Sequence, residues 1–416
     1  MVSWRVNNGM RRVVVTGTGS ISALGNSMEE LICSMEQQIC GTKKMDTWHQ
    51  YKGLKSLVGA PAILPDIKLI PRKMRRSMGR MSFLAIFAVE EALKSAGIEK
   101  ETITNKRYGC VAGSTMGSPQ ALTDAFETML PDHDLTRLTA MKFFQCISHT
   151  ISMNIAQYLG IIGDVVATSS ACASSLQAIG TGFDLIRFNK QDLVLCGGAE
   201  ELHPTVTGSF DILFATSTRF NDTPAKTPRP FDKHRDGLVC GEGAGIIVLE
   251  ELEHAKNRGA HILAEVTGYN TCGSGTHISQ PDHQAMIRCM TSALSDAGLK
   301  PSDIDYVSAH ATATLTGDTQ EARAIAQVFG SKTPVNSFKG YLGHTLGASG
   351  AIELAIAIEM MNKSIIYPTL NLEIIDENCR GIYHVQEKTK TNIDFILKNC
   401  FAFGGINASI VCKKYE

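Results

Sequence analysis

The sequence has almost no net charge: 40 Lys and Arg stand against 41 Asp and Glu, a formal charge of −1 over 416 residues. With no basic surplus to neutralise phosphates, nucleic acid is excluded as the main partner, although a local basic patch stays open. The 12 cysteines include no Cys-x-x-Cys pair and no tight Cys/His cluster, which argues against a zinc site. No run approaches the roughly 18 apolar residues that a membrane-spanning helix needs. The opening Met1-Val-Ser-Trp-Arg-Val-Asn-Asn-Gly9 is too polar for the apolar region of a secretory signal and reads as a short extension ahead of the fold. Free thiols without an export signal lead to the expectation of a reducing cytoplasm.

What is present is a large globular composition, 44% hydrophobic with 37 glycines. At roughly 150 residues per domain, two to three structural units are expected. The β-rich run Arg11-Arg-Val-Val-Val-Thr16 ends in Gly17-Thr-Gly19, and a helix start follows at Asn26. The pattern predicts a helix over 82–96 and a strand over 108–112. It then predicts a short buried strand over 164–168, a helix to about Phe188, and strands over 192–196 and 245–250. The same order then restarts. A strand over 262–267 carries Val-Thr-Gly at 266–268, echoing Val-Thr-Gly at 15–17. Next come a helix over 285–297, a strand over 305–309, a helix over 318–329, a strand over 333–336, a helix over 349–362 and strands over 394–400 and 408–413. Alternating strands and helices imply an α/β architecture with largely parallel central strands. The repetition implies two related halves, 11–251 and 260–416, each needing the other to cover its sheet.

Cys172 is the first candidate for chemistry. It sits where a strand turns into a helix, among Ser169, Ser170, Ala171, Ala173, Ser174 and Ser175. A helix N-terminus favours thiolate, and free backbone N–H groups there can stabilise an oxyanion. An inert buried cysteine is the competing reading. His310 follows a strand and opens the polar turn Ala311 to Asp318. His344 lies in Lys339-Gly-Tyr-Leu-Gly-His344-Thr-Leu-Gly-Ala-Ser-Gly350. Strand ends of an α/β sheet are where function usually sits. Either histidine alone is more often structural; the two, with Lys339 and the glycine-rich Phe401-Ala-Phe403-Gly-Gly405, are harder to explain so.

Together these residues resemble the β-ketoacyl–acyl carrier protein synthases, the elongating condensing enzymes of the thiolase fold. The resemblance runs from about Arg11 to Lys413. It is carried by Val13-Val-Val-Thr-Gly-Thr-Gly19, Ser170-Ala-Cys172-Ala, Arg229-Pro-Phe-Asp232-Lys-His-Arg235-Asp236-Gly237, Gly241-Glu-Gly-Ala-Gly245, His310, Lys339, Gly343-His344 and Phe403-Gly-Gly-Ile-Asn407. Gly198-Ala-Glu-Glu-Leu-His203 is similar to synthase I, whereas Met116 and His277 are similar to synthase II. The resemblance implies two βαβαβαββ halves with central mixed sheets in a layered α-β-α-β-α arrangement. It implies that Cys172 carries the acyl chain as a thioester, that His310 and His344 promote decarboxylation of malonyl–acyl carrier protein, and that the N–H groups of Cys172 and Phe403 form the oxyanion hole. Lys339, Asp318, Glu321 and Glu353 are the implied supporting network, and Thr312 and Thr314 the pantetheine contacts. Phe403 is the implied gate, Met116 and Phe210 line the acyl pocket, and His277 is a further substrate contact. A homodimer in the cytoplasm is implied, served by acyl carrier protein, with no metal and no tightly bound cofactor because the phosphopantetheine arm arrives on the carrier.

The sequence departs from the family at His310-Ala-Thr-Ala-Thr-Leu315, Phe338-Lys-Gly340 and Ala402-Phe-Gly-Gly-Ile-Asn407. Each keeps the reactive residue and changes a neighbour, so the open question is the acyl substrate. Ala402 in place of glycine is expected to stiffen the gate. A Rossmann oxidoreductase is the weaker alternative, since Ser22 stands where the third glycine of the fingerprint belongs. A thiolase would use a second cysteine, but Cys400 precedes Phe401 and Phe403 occupies the loop. A silent partner subunit of the chain-length-factor kind would lack Cys172. A specialised polyketide or polyene ketosynthase with the same chemistry remains open.

Overall fold

The computed structural model describes residues 9–416, so all but the last residue of the expected N-terminal extension lies outside the described residues. The first half contributes β1 (Val13–Ile21), β2 (Tyr108–Gly113), β3 (Val165–Thr168), β4 (Leu193–Glu200) and β5 (Gly243–Glu251). Helices α1 (Arg80–Ala96), α2 (Thr150–Leu159) and α3 (Ser174–Arg187) run between them. The second half contributes β6 (Ala264–Gly273), β7 (Tyr306–Ser308), β8 (Pro334–Asn336), β9 (Tyr383–His384), β10 (Phe395–Ala402) and β11 (Ile406–Lys413). Its helices are α4 (His283–Ala297), α5 (Leu315–Phe329) and α6 (Ser349–Lys363).

Hydrogen bonding joins the strands in the order β9-β8-β7-β10-β11-β6-β1-β5-β4-β2-β3. Counted within its own half, each set of five strands has the same order, third-second-fourth-fifth-first, with β9 added at one end. In each half the second, third and fourth strands are mutually parallel, and the fifth and first run antiparallel. The sheets are therefore mixed. Helices α3 and α6 pack on each other and against strands of both halves. α1 and α2 cover the outer face of the first set, and α4 and α5 that of the second. Five layers result, with the two central helices buried between the sheets.

The Val-Thr-Gly echo has a steric cause. A Cβ on Gly17 would lie 2.4 Å from Ala92 O and 2.8 Å from Ala96 N, on α1; on Gly268 it would lie 2.4 Å from Ala293 O and 2.7 Å from Ala297 N, on α4. In each half the outer helix rests its backbone on a glycine of the first strand, and in the first half Gly19 makes a second such approach, where a Cβ would lie 2.1 Å from Ala88 O. These two strands also join the halves, since Val13 pairs with Val266 and Val15 with Ala264. Between the central helices the approach is as close: a Cβ on Gly350 would meet Leu176 N at 2.8 Å. That contact fixes how the two turns preceding α3 and α6 face each other.

One expectation fails. Residues 165–168 form a strand, but an exposed one: β3 is the edge of the sheet, with Val165 44% exposed. A short apolar run reads the same from sequence whether both faces or neither is covered. Ala402 also departs from expectation. It pairs with Ile406 at the end of β10, and the left-handed conformations of that turn fall on Gly404 (φ 86°) and Gly405 (φ 72°). Alanine therefore imposes no strain there.

Candidate active site

Cys172 lies in the turn between β3 and α3. Ser174, the first residue of α3, holds the turn: its hydroxyl accepts from Ser170 N at 2.9 Å and donates to Ala171 O at 2.7 Å. Ala171 is in the left-handed region at φ 48°, an unusual conformation for alanine that points to functional constraint on this elbow. The thiol sits at the floor of a cavity of about 280 Å³. His344 occupies the corresponding turn of the second half, between β8 and α6. Its backbone is pinned on both sides, with its N–H donating to Val239 O at 2.7 Å and its carbonyl accepting from Gly241 N at 2.8 Å. Its Nε2 lies 3.0 Å from Cys172 Sγ.

His310 follows β7, and its ring meets that of His344 edge-on with centroids 5.1 Å apart. Two buried carboxylates shape its loop. Glu321 accepts from His310 N at 2.7 Å and Ala311 N at 2.6 Å, while Asp318 accepts from Ala313 N at 3.0 Å and Phe231 N at 2.7 Å. Burial pushes both carboxyls up, Glu321 to about 7 and Asp318 to about 6. The stretch 229–237 braces the same loop from outside. Arg235 donates to Leu315 O at 2.9 Å and Gly237 N to Ala313 O at 3.1 Å.

Behind the histidines lies a fully buried charge cluster. Glu353 accepts from Lys339 Nζ at 2.5 Å and Ser349 Oγ at 2.7 Å through one oxygen, and from Lys398 Nζ through the other. Burial alone would push Glu353 up, but Lys339 and Lys398 outweigh it and hold the carboxyl down at about 2. Two ammoniums against one carboxylate leave a net positive charge in a low-dielectric place. Burial first, then Lys339, pushes His310 and His344 well below the ordinary histidine value. Burial also pushes the Cys172 thiol up to about 12, with Lys339 opposing. The dipole of α3 opposes too, but at most by about 2 kcal/mol, little more than one pKa unit. The expectation that the helix start favours thiolate is opposed here by burial, which favours the thiol and, beside it, neutral imidazoles.

Among the described residues neither ring has a partner at Nδ1. With no acceptor there, the single proton of each neutral ring is better placed on Nε2. In ¹³C-histidine NMR titrations, both rings should still be neutral at pH 6. A midpoint at 6.5 or above for either would contradict the burial argument. The sign for stability follows: below about pH 6.5 the unfolded chain takes up protons that these folded rings refuse. The pair therefore withdraws stability as pH falls, by up to about 1.4 kcal/mol per ring per pH unit.

The cavity is bordered by Cys172, His310, His344, Thr312, Thr314 and Phe403, with Glu321 also reaching it. Thr312 and Thr314 hydroxyls lie 3.1 Å apart. Neither the Cys172 nor the Phe403 backbone N–H meets a backbone acceptor among the described residues. Phe403 packs on Phe210, ring centroids 5.7 Å apart, with Phe210 behind it and off the cavity. Met116 (51% exposed) and His277, also exposed, do not border this cavity, and Lys339 stands behind it rather than in it. Sequence reasoning missed Lys398, Ser349 and the bracing role of Arg235. A lysine within the largely apolar strand 395–402, beside Asn399, was the available signal for the first. The fold also brings together what the sequence spacing separates: Cys172, His310 and His344 each place a ligand atom within 4.8 Å of the others.

Comparison with known proteins identifies the family of the chain. The family described as "Beta-ketoacyl synthase, N-terminal domain" matches residues 10–255, and "Beta-ketoacyl synthase, C-terminal domain" matches 263–373. The chain is 36% identical over 409 residues to 3-oxoacyl-[acyl-carrier-protein] synthase 1 of Escherichia coli, covering 98% of this chain and 100% of that protein. A crystal structure of a β-ketoacyl synthase from Burkholderia phymatum superposes with a TM-score of 0.94 at 43% identity, covering 98% of this chain and 100% of that one. A ketosynthase solved with its type II polyketide acyl-carrier protein and bound to a hexaketide superposes with a TM-score of 0.89 at 29% identity, covering 98% and 100%.

Proposed function

The chain belongs to the β-ketoacyl synthase family and is an acyltransferase, and we propose that its two half-reactions divide between the thiol and the paired imidazoles. It is a β-ketoacyl–acyl carrier protein synthase, joining an acyl group to malonyl–acyl carrier protein by decarboxylative Claisen condensation in fatty acid elongation. The observation that carries the division of roles is the 3.0 Å contact of His344 Nε2 with Cys172 Sγ, beside His310 at the floor of one cavity.

In the first half-reaction Cys172 Sγ adds to the thioester carbonyl of the acyl donor. The C–S bond to the carrier's pantetheine breaks, and the thiol proton leaves with the freed pantetheine thiol. In the second, malonyl–acyl carrier protein loses carbon dioxide, and the electron pair of the broken C–C bond becomes an enolate. Nε2–H groups of His310 and His344 are placed to donate to its oxygen, and the net positive cluster behind them favours that charge. The enolate carbon then attacks the Cys172 thioester, the oxyanion being met by the free N–H groups of Cys172 and Phe403. Collapse breaks the C–S bond to Cys172 and leaves a β-ketoacyl product on the carrier, the released sulfur taking one proton from solvent to restore the thiol. Splitting one difficult displacement into two is the gain of covalent catalysis.

Thr312 and Thr314 are assigned to the pantetheine arm, which the carrier supplies, so no tightly bound cofactor is required. Phe403 backed by Phe210 is assigned to the gate. A homodimer is supported by β3, whose outer edge is unpaired among the described residues and whose Val165 and Val166 face outward. A cytoplasmic setting is supported by twelve free cysteines, and no described helix is long and apolar enough to cross a membrane. A polyketide role with the same chemistry has the solved ketosynthase–carrier complex in its favour. The higher identity to the fatty acid enzyme favours elongation.

The division of labour is tested with His310→Ala and His344→Ala. Each variant should still gain acyl mass on Cys172 but release carbon dioxide from malonyl–acyl carrier protein about 10²–10³ more slowly, the usual loss for one oxyanion donor. A variant that condenses at near-native rate, or one that cannot be acylated, would refute the assignment.

A further inference from the structure

The three side chains at the cavity floor come from three separate turns, yet their donor atoms all lie within 4.8 Å of one another. A thiolate with two imidazoles is a borderline-soft donor set suited to zinc. A tetrahedral zinc with Zn–S near 2.3 Å and Zn–N near 2.0–2.1 Å spaces its donors at roughly 3.3–3.6 Å. His344 Nε2 and Cys172 Sγ are already 3.0 Å apart. The largest separation, at most 4.8 Å, exceeds the tetrahedral spacing by only about 1 Å. A second observation is independent of this spacing: both rings are buried, with Nδ1 unpartnered among the described residues. No hydrogen bond from the far nitrogen ties either ring to the surrounding backbone. The fourth coordination position would face the cavity, the pattern of three protein ligands and one open site.

We propose that Cys172, His310 and His344 form a zinc-binding site whose occupation stops the enzyme before acyl transfer. Zinc takes the sulfur lone pair and displaces the Nε2 protons that the reaction uses. Charge and atoms balance as Cys–SH plus Zn²⁺ giving Cys–S–Zn⁺ plus one released proton, each imidazole contributing its neutral lone pair through a shift of its own proton to Nδ1. That shift leaves two Nδ1–H groups without acceptors. Missing outer partners of this kind typically cost 10–100-fold in affinity, so the site is reversible rather than structural. The acylated enzyme has no thiolate to offer and is protected. Binding needs only the three side chains, whereas its consequence for turnover rests on the condensing reading above.

The test uses cobalt(II) as the spectroscopic probe on the intact protein, then zinc on activity. The native protein should bind one cobalt with a thiolate-to-cobalt charge-transfer band. Its affinity should rise about tenfold per pH unit, as release of one proton requires. Cys172→Ala and the closer-sized Cys172→Ser should both lose the band. His310→Ala should weaken binding at least about tenfold, and protein pre-acylated on Cys172 should not bind. Zinc should block acylation of native protein, and a chelator should restore it. Absence of one-to-one binding, or a band unchanged in both Cys172 variants, would overturn the site. Cys172-dependent binding that leaves acylation untouched would overturn the inhibition. Should the metal-free protein accept no acyl group from any donor, the condensing reading fails while the band still reports on the site.

Discussion

Purified Cys172→Ala protein should gain no mass from any acyl–acyl carrier protein and release no product two carbons longer, with condensation down by about four orders of magnitude or more. The native protein, given an acyl donor, should gain one acyl group per chain by intact mass. It should lose that mass on addition of malonyl–acyl carrier protein. The expectation is this large because no other cysteine among the described residues borders the cavity. Cys240 and Cys400 lie close enough for their charges to be felt at Cys172, but neither borders the cavity, and burial pushes them up to about 12 and about 11. An adduct that persists in the variant would place the acyl group elsewhere and remove the basis for the whole assignment. An adduct formed only from unusual donors would turn the pathway towards a specialised ketosynthase while leaving the mechanism in place.

The second large effect concerns stability. Glu353→Ala should cost about 3–5 kcal/mol in denaturant unfolding, because it leaves Lys339 and Lys398 buried without their counter-charge. The direction with pH is fixed by the depressed carboxyl. Its contribution is present above about pH 4.5 and is lost as pH falls towards 2. Replacing all three members together, as Lys339→Met, Glu353→Leu and Lys398→Met, should recover most of that stability, since apolar groups of similar volume often replace a buried ion cluster at little cost. Condensation should not recover with it. The rings of His310 and His344 would lose the positive charge behind them, and the enolate would lose the field that stabilises it. A triple variant that is both stable and fully active would show the cluster to be packing alone.

Much of this was legible before any coordinates. Strand and helix order, the repeat of Val-Thr-Gly, and Cys172 in a strand-to-helix turn among small residues are local properties, written in apolar spacing and in side-chain size. Gly17 and Gly268 are glycines because a helix backbone rests on each, and that constraint marks the sequence at both places. Resemblance to a known family then supplied the partners of Cys172 in advance of the geometry.

The tertiary structure decided what depends on burial and on contacts between distant segments. Cys172 and His344 are 172 positions apart, and they meet because two turns of like topology face each other across the central helices. Whether β3 was buried or an exposed edge could not be read from Val-Val-Ala-Thr, because the period of a strand is blind to what covers it. The helix-start position of Cys172 argued for thiolate, and only enclosure brought in the burial that pushes the thiol the other way. Lys398 looked like a surface lysine in a strand until β10 lay against α6, where Glu353 accepts from it. The sequence by itself determined the elements and singled out Cys172 as the candidate nucleophile, since a strand-to-helix turn among small residues follows from neighbours along the chain. The structure determined the protonation, the charge cluster and the assembled triplet, since electrostatic energies are set by distance and solvent exclusion in three dimensions.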